Sequence, residues 1–184
     1  MSTVAVILAD GFEEIEGITP IDFMRRAGIE VISVGLTGKQ ITGAHNIIIQ
    51  ADIILDEFKA DTDGILIPGG MPGAANIAGS EKIRTIIQSY DRDKKLVAAI
   101  CAAPALVLGG AGVLKGRSFT CYPGMEGEAG PDGNYTGERV VVDGHMITGN
   151  GPGGAAEFSA AVISYLEGRE KADALMKGSL QKGY

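Results

Sequence analysis

The chain has 184 residues, enough for one domain with a substantial core. It carries 23 acidic against 16 basic residues, a formal charge of −7 with no basic stripe, so nucleic acid is not expected as a partner. No apolar run reaches the ~18 residues of a membrane span, the N-terminus lacks a signal-peptide pattern, and two cysteines make no disulfide framework; a reducing, cytoplasmic location is the expectation.

Val4 to Ala9 is a continuous apolar run, the pattern of a strand buried on both faces of a parallel sheet. Asp10-Gly11-Phe12 turns the chain into a helix from about Glu13 to Ala27, closed by Gly28 and interrupted by Pro20. Glu30 to Leu36 completes a βαβ unit. Residues 37–55 are turn-rich with short β-branched runs, a hairpin or edge excursion that includes a strand from Ile47 to Gln50. Gly64 to Pro68 is another buried strand, followed by the glycine loop Gly69 to Gly73. Ser80 to Tyr90 reads as an amphipathic helix with Ser80 as N-cap. Arg117 to Cys121 is read as a strand, residues 124–137 as loop, and Val140 to Thr148 as a hairpin turning at Asp143-Gly144-His145. Helices follow at Ala155 to Leu166 and about Glu170 to Lys177. Strands alternating with helices, with no repeat or linker, give a single domain over 1–184, a three-layer α/β sandwich with a mostly parallel sheet.

The stretch Lys95 to Gly110 carries the chemistry. A buried strand, Leu96 to Ile100, runs into Cys101, and a helix begins at once with Pro104 in its first turn. Cys101 therefore sits on a tight elbow at a strand's carboxyl end and a helix N-terminus. Unpaired N–H groups and the helix dipole favour thiolate there, so the thiol pKa is expected to fall. Glu13, Glu14, Glu16, the loop Gly69-Gly70, Cys101 and Cys121-Tyr122 all fall at predicted carboxyl strand ends, which share one edge of a parallel sheet. A solvated helix turn explains Glu13 and Glu14. Glu16 stands between Ile15 and Ile18, close to the apolar face, and buried beside a thiolate it would hold its proton and shuttle it. His45 and His145 read as solvated turn residues, and no His/Cys/Asp group has metal-ligand spacing. Cys121 is either a half-buried bystander or a resolving thiol for Cys101.

Asp10-Gly11-Phe12-Glu13-Glu14-Ile15-Glu16, Met24-Arg25-Arg26-Ala27-Gly28, Pro68-Gly69-Gly70, Ala99-Ile100-Cys101-Ala102 and Gly151-Pro152-Gly153 resemble the motifs of the ThiJ/PfpI superfamily, and best its DJ-1 branch. The likeness runs from Val4 to Glu167. It implies a flavodoxin-like α/β/α sandwich of the class I glutamine amidotransferase-like kind and a homodimer formed largely through the first helix. It implies Cys101 as nucleophile, Glu16 as the protonated carboxyl beside it, and the N–H groups of Gly70 and Ala102 as an oxyanion pocket with Gly69. Activities attributed to the family are glutathione-independent glyoxalase, which turns methylglyoxal and water into lactate, and protein deglycase. Redox sensing through a cysteine sulfinate and chaperone action are also described.

Two departures stand out. Some members have histidine where this chain has Tyr122, and a phenol with a pKa near ~10 is a poor base at neutral pH. Ala102 replaces the histidine that superfamily peptidases place after the cysteine, so peptidase activity is not expected. The resulting expectation is a cofactor-free enzyme acting on a small 2-oxoaldehyde or a glycated substrate through Cys101, Glu16 and Tyr122. The alternative is an oxidative-stress sensor or chaperone that works by oxidation of Cys101.

Overall fold

The computed structural model describes residues 1–183. The first apolar run forms β1 (Thr3–Leu8), with five of its six residues buried. Helix α1 (Glu14–Arg26) returns the chain to β2 (Glu30–Gly35), parallel to β1. Strands β3 (Gln40–Thr42) and β4 (Ile48–Gln50) make a separate antiparallel hairpin, and β5 (Ile53–Ile54) returns to the edge of the main sheet. Next come β6 (Gly64–Ile67), α2 (Gly73–Ala78), α3 (Glu81–Arg92) and β7 (Leu96–Ile100). The helix after Cys101 is wound with the wider π spacing from Pro104 to Leu108 before the short α4 (Gly109–Ala111). The chain continues through β8 (Ser118–Phe119), β9 (Asn134–Tyr135), β10 (Val140–Asp143), β11 (Met146–Gly149), α5 (Ala155–Glu167) and α6 (Arg169–Gly178).

The seven-stranded sheet has the order β10-β11-β7-β6-β1-β2-β5, parallel throughout except for β10 against β11. The path steps from β1 outward to β2, then crosses back and steps from β6 to β7 in the other direction. Right-handed crossovers therefore put α1 on one face and α3 on the other. Helix α5 packs against α1, and α3 against α4, filling both outer layers. This is the expected flavodoxin-like sandwich. Its strand order reverses between β1 and β6, and the crevice at the carboxyl ends of those strands is where such folds bind ligands.

Two expectations are corrected here. The strand read at Arg117 to Cys121 is only two residues long, and it pairs with β9 in a sheet of its own. Side chains take the donors that a main-sheet ladder would use: Ser118 N donates to Asp143 Oδ2 at 2.8 Å and Thr120 N to Thr148 Oγ1 at 3.0 Å. His145, read as a solvated tip residue, is buried. The β10–β11 turn folds onto the end of α3, placing His145 Nε2 2.7 Å from Asp91 Oδ1, the oxygen that also accepts from Arg117 Nη2 at 2.7 Å.

Candidate active site

Cys101 has φ +65°, the left-handed region that a non-glycine residue enters at a cost of roughly 1–3 kcal/mol. Two long-range bonds hold it there. Its N–H donates to Gly149 O at 2.9 Å, and its carbonyl accepts from Tyr122 N at 2.8 Å. The chain leaves the elbow directly into the helix, so Ala102 N–H points back at the sulfur, and Gly70 N–H reaches it from the β6 loop. Two backbone N–H groups, of Gly70 and Ala102, therefore face the Cys101 sulfur.

Gly69 is fixed by proximity. A Cβ there would lie 2.6 Å from Cys101 Cβ and 2.7 Å from Glu16 Oε2, so only hydrogen fits between these two side chains. Gly70 takes φ +88° and packs its backbone on Gly11 and Glu13. These contacts tie the chain beyond β1 to the loop after β6, because Glu13 N donates to Gly69 O at 3.0 Å and Gly69 N to Glu16 Oε2 at 3.0 Å. Glu13 caps α1 by accepting from Glu16 N at 2.8 Å.

Glu16 is wholly buried, as expected, but for a different reason from the one its neighbours suggested. Ile15 and Ile18 are 53 % and 40 % exposed, so they lie on the outer face of α1. The inner face is Glu16, Gly17, Pro20, Ile21 and Met24, and Gly17 lies so close to the Phe12 ring that a Cβ would touch it at 2.7 Å. The Glu16 carboxyl faces the Cys101 thiol, and its Oε1 is buried without a hydrogen-bond partner. Burial raises its pKa to about 7, opposed by the Cys101 thiol and the Gly69 N–H.

The thiol corrects the sequence-based expectation. Burial, then the charge of Glu16 and its contact with the thiol, push Cys101 up to about 12, and the Gly70 and Ala102 N–H groups only partly offset this. The two upward pushes from Glu16 last only while Glu16 is ionised. A proton on Glu16 removes the repulsion and turns the carboxyl into a donor toward sulfur. The pair titrates as one unit, and thiolate at this elbow is tied to proton transfer onto Glu16.

Tyr122 is joined to the elbow by its backbone, while its side chain is half exposed and lies against Gly151. Cys121 is fully buried. Its thiol donates to Tyr122 O at 3.5 Å and faces Glu126 and Tyr135, the surroundings of a bystander.

One constellation escaped the sequence reading. Glu14 is buried rather than solvated, and it takes both His45 N and His45 Nδ1 on its two oxygens at 2.7 Å. Glu13, Glu14 and His45 have potential metal-ligand atoms within 4.8 Å of one another, although the Glu14–His45 bonds already occupy two of those groups. The available signal was Gly43, which has no room for a side chain because the Glu14 carboxyl fills that space.

The sequence profile of the DJ-1/PfpI family matches residues 2–165. The chain belongs to the DJ-1/PfpI family. It is 38 % identical to dj-1beta of Drosophila melanogaster over 178 residues, covering 95 % of both chains. It is 32 % identical over 178 residues to a glutathione-independent glyoxalase, DJR-1.2, of Caenorhabditis elegans, covering 96 % of this chain and 94 % of that one. It spans only 41 % of DJ-1 homolog B of Arabidopsis thaliana, at 37 % identity. Among solved structures, an oxidised DJ-1 of Toxoplasma gondii superposes with a TM-score of 0.95 at 32 % identity, covering 99 % of this chain and all of that one. The DJ-1 type of fold is thus shared along nearly the whole of this chain. Among the described residues, no helix is long and apolar enough to cross a membrane.

Proposed function

We propose that this DJ-1/PfpI protein is a cytoplasmic, cysteine-dependent enzyme on small reactive aldehydes, acting as a glutathione-independent glyoxalase or on the related adducts of a deglycase. The observation that carries the reading is the convergence on one sulfur of two backbone donors and an acid whose pKa is raised to about 7. As sulfur adds to the aldehyde carbon of methylglyoxal, its proton passes to the Glu16 carboxylate, and the new oxyanion lies by the N–H groups of Gly70 and Ala102. Glu16 then returns the proton to that oxygen, giving a hemithioacetal. Moving hydrogen from the first carbon to the second oxidises one and reduces the other, giving a thioester of lactate. Water cleaves the thioester and frees the thiol. No cofactor enters this balance. The carboxylate of the neutral-pH pair is thus a base first and an acid second.

Exposed Ile15 and Ile18 on α1, with Ile47 and Ile48 of the hairpin, form the face on which a second copy would dock. The test is lactate release from methylglyoxal by wild type, Cys101→Ser and Glu16→Gln. Equal turnover in wild type and Cys101→Ser refutes the reading. A sensor role is favoured by the same converging donors, which suit a sulfinate, and by the solved structure of a similar protein being of its oxidised form. A +32 Da product confined to Cys101 after mild peroxide supports it.

A further inference from the structure

Cys101 is held at φ +65° by Gly149 O on its N–H and by Tyr122 N on its carbonyl, and these two partners come from different parts of the chain. Gly149 ends β11, and Tyr122 ends the stretch that begins at Arg117 and contains β8. In extended backbone, alternate N–H groups point to the same side. Three of them here are taken by the main sheet. Ser118 N donates to Asp143 Oδ2 of β10 at 2.8 Å, Thr120 N to Thr148 Oγ1 of β11 at 3.0 Å, and Tyr122 N to Cys101 O at the end of β7 at 2.8 Å. The carbonyls between them face the other way, where Arg117 O and Phe119 O accept from Asn134 N and Thr136 N. Residues 117–122 are thus a strap laid across β10, β11 and β7, which are neighbours in the sheet, and its last fastening is the carbonyl of the nucleophile.

Thr148 is the middle fastening. Its backbone is paired on both sides, with Val141 of β10 and Ala99 of β7, so its side chain is what can meet the strap. The hydroxyl is bonded two residues before Tyr122 and stands one residue before Gly149, so a single bond sets the spacing of the two groups that grip Cys101. Thr148 and Thr120 are both buried, and Thr120 Oγ1 has no partner of its own. A buried N–H that loses its acceptor finds no water where it stands, so the strap would have to shift. We propose that Thr148 is a positioning residue for the reactive thiol: its hydroxyl fixes the strap against β11, and the two together hold Cys101 in its left-handed turn, with the sulfur facing Glu16 and the N–H groups of Gly70 and Ala102. This takes from the function proposed above only that Cys101 is the reacting atom. Without the tie, the grip of Tyr122 N loosens and the strained φ relaxes. Burial and Glu16 raise the thiol's pKa by more than the two N–H groups lower it, so a sulfur freed from the site ionises more readily. It then alkylates faster, yet has lost the acid and the donors that turnover needs.

The experiment measures alkylation of Cys101 by iodoacetamide at about pH 8, located by peptide mass mapping, and lactate release from methylglyoxal. It compares wild type, Thr148→Val, Thr148→Ser, Glu16→Gln and the Thr148→Val/Glu16→Gln double variant, each with a thermal melt. Thr148→Val keeps the branched shape and removes the hydroxyl. Each pH unit by which a thiol's pKa falls multiplies its thiolate about tenfold, so Thr148→Val is expected to alkylate at least ~10-fold faster than wild type while its turnover drops at least ~10-fold. Thr148→Ser keeps the hydroxyl and is expected to stay within about twofold of wild type in both measurements. Glu16→Gln is expected to speed alkylation in the wild-type background but to add less than about twofold to Thr148→Val, whose sulfur no longer faces it. A cooperatively melting Thr148→Val that alkylates like wild type, or that still gains the full effect of Glu16→Gln, overturns the role of Thr148. If Thr148→Val gives no cooperative melt, Asp143→Ala takes its place, because it removes the acceptor of Ser118 N at a partly exposed position. It is expected to change in the same directions, and alkylation like wild type overturns the proposal. If wild type makes no lactate the aldehyde reading falls, and the alkylation comparison still decides the role of Thr148.

Discussion

Glu16→Gln isolates the strain that the site places on the fold. Gln keeps the shape of the neutral acid, its oxygen can still accept from Gly69 N, and it carries no charge into the core. In the wild type, folding raises the pKa from 4.5 to about 7. At 1.36 kcal/mol per pH unit this difference is worth about 3 kcal/mol. The sign follows from proton binding: between those values the folded protein holds the proton and the unfolded chain has released it, so stability falls as pH rises. The contribution is intact below about pH 4.5 and lost above about pH 7. Wild type and Glu16→Gln are expected to have similar stability near pH 4.5, and the variant to be more stable by roughly 3 kcal/mol at pH 9. For a domain of this size that is a difference of roughly 6–12 °C in Tm. Urea titrations and thermal melts of both proteins across this range test it. If their stability curves run parallel, Glu16 is not a buried carboxyl driven to hold its proton, and the coupling to Cys101 derived from it is wrong.

The same substitution has a chemical signature. Above pH 7 iodoacetamide is expected to alkylate Cys101 faster in Glu16→Gln than in wild type, because the repelling charge is gone, while methylglyoxal turnover falls because the proton acceptor is gone too; slower alkylation contradicts this. Gly69→Ala puts a methyl group 2.6 Å from Cys101 Cβ and is expected to cost roughly 1–3 kcal/mol and most of the turnover, measured by melts and lactate assay. Tyr122→Phe keeps the backbone bond to Cys101 O and is expected to stay within about threefold of wild-type turnover. Ile15→Glu charges the exposed face of α1 and is expected to shift the protein toward monomer in size-exclusion chromatography.

The frame of the molecule was legible because burial on both faces of a sheet leaves a plain mark. The runs that became β1, β6 and β7 are apolar without alternation, and the cysteine elbow follows from having no residues left for a loop. Residues whose fate depends on distant partners were not legible. Glu16 was expected to be inward for its isoleucine neighbours, which in fact face outward; what buries it is the close approach of Gly17 to Phe12. Glu14 and His45 are about thirty positions apart, and only the docking of the hairpin makes them a pair. His145 read as a turn residue because nothing local shows that Asp91 and Arg117 will close over it. The ionisation of Cys101 was misjudged for a related reason. Local backbone geometry argues for thiolate, but burial and an acid eighty-five positions earlier outweigh it.

The bonds that pin Cys101 have a consequence for the chain as it is made. Its N–H waits for Gly149 and its carbonyl for Tyr122, both later in synthesis. A nascent chain that has exposed Glu16, Gly69 and Cys101 but not yet the last strand carries an ordinary, unpinned thiol. The elbow is completed only when the protein is nearly whole, and until then the thiol is free of both the burial and the Glu16 charge that raise its pKa.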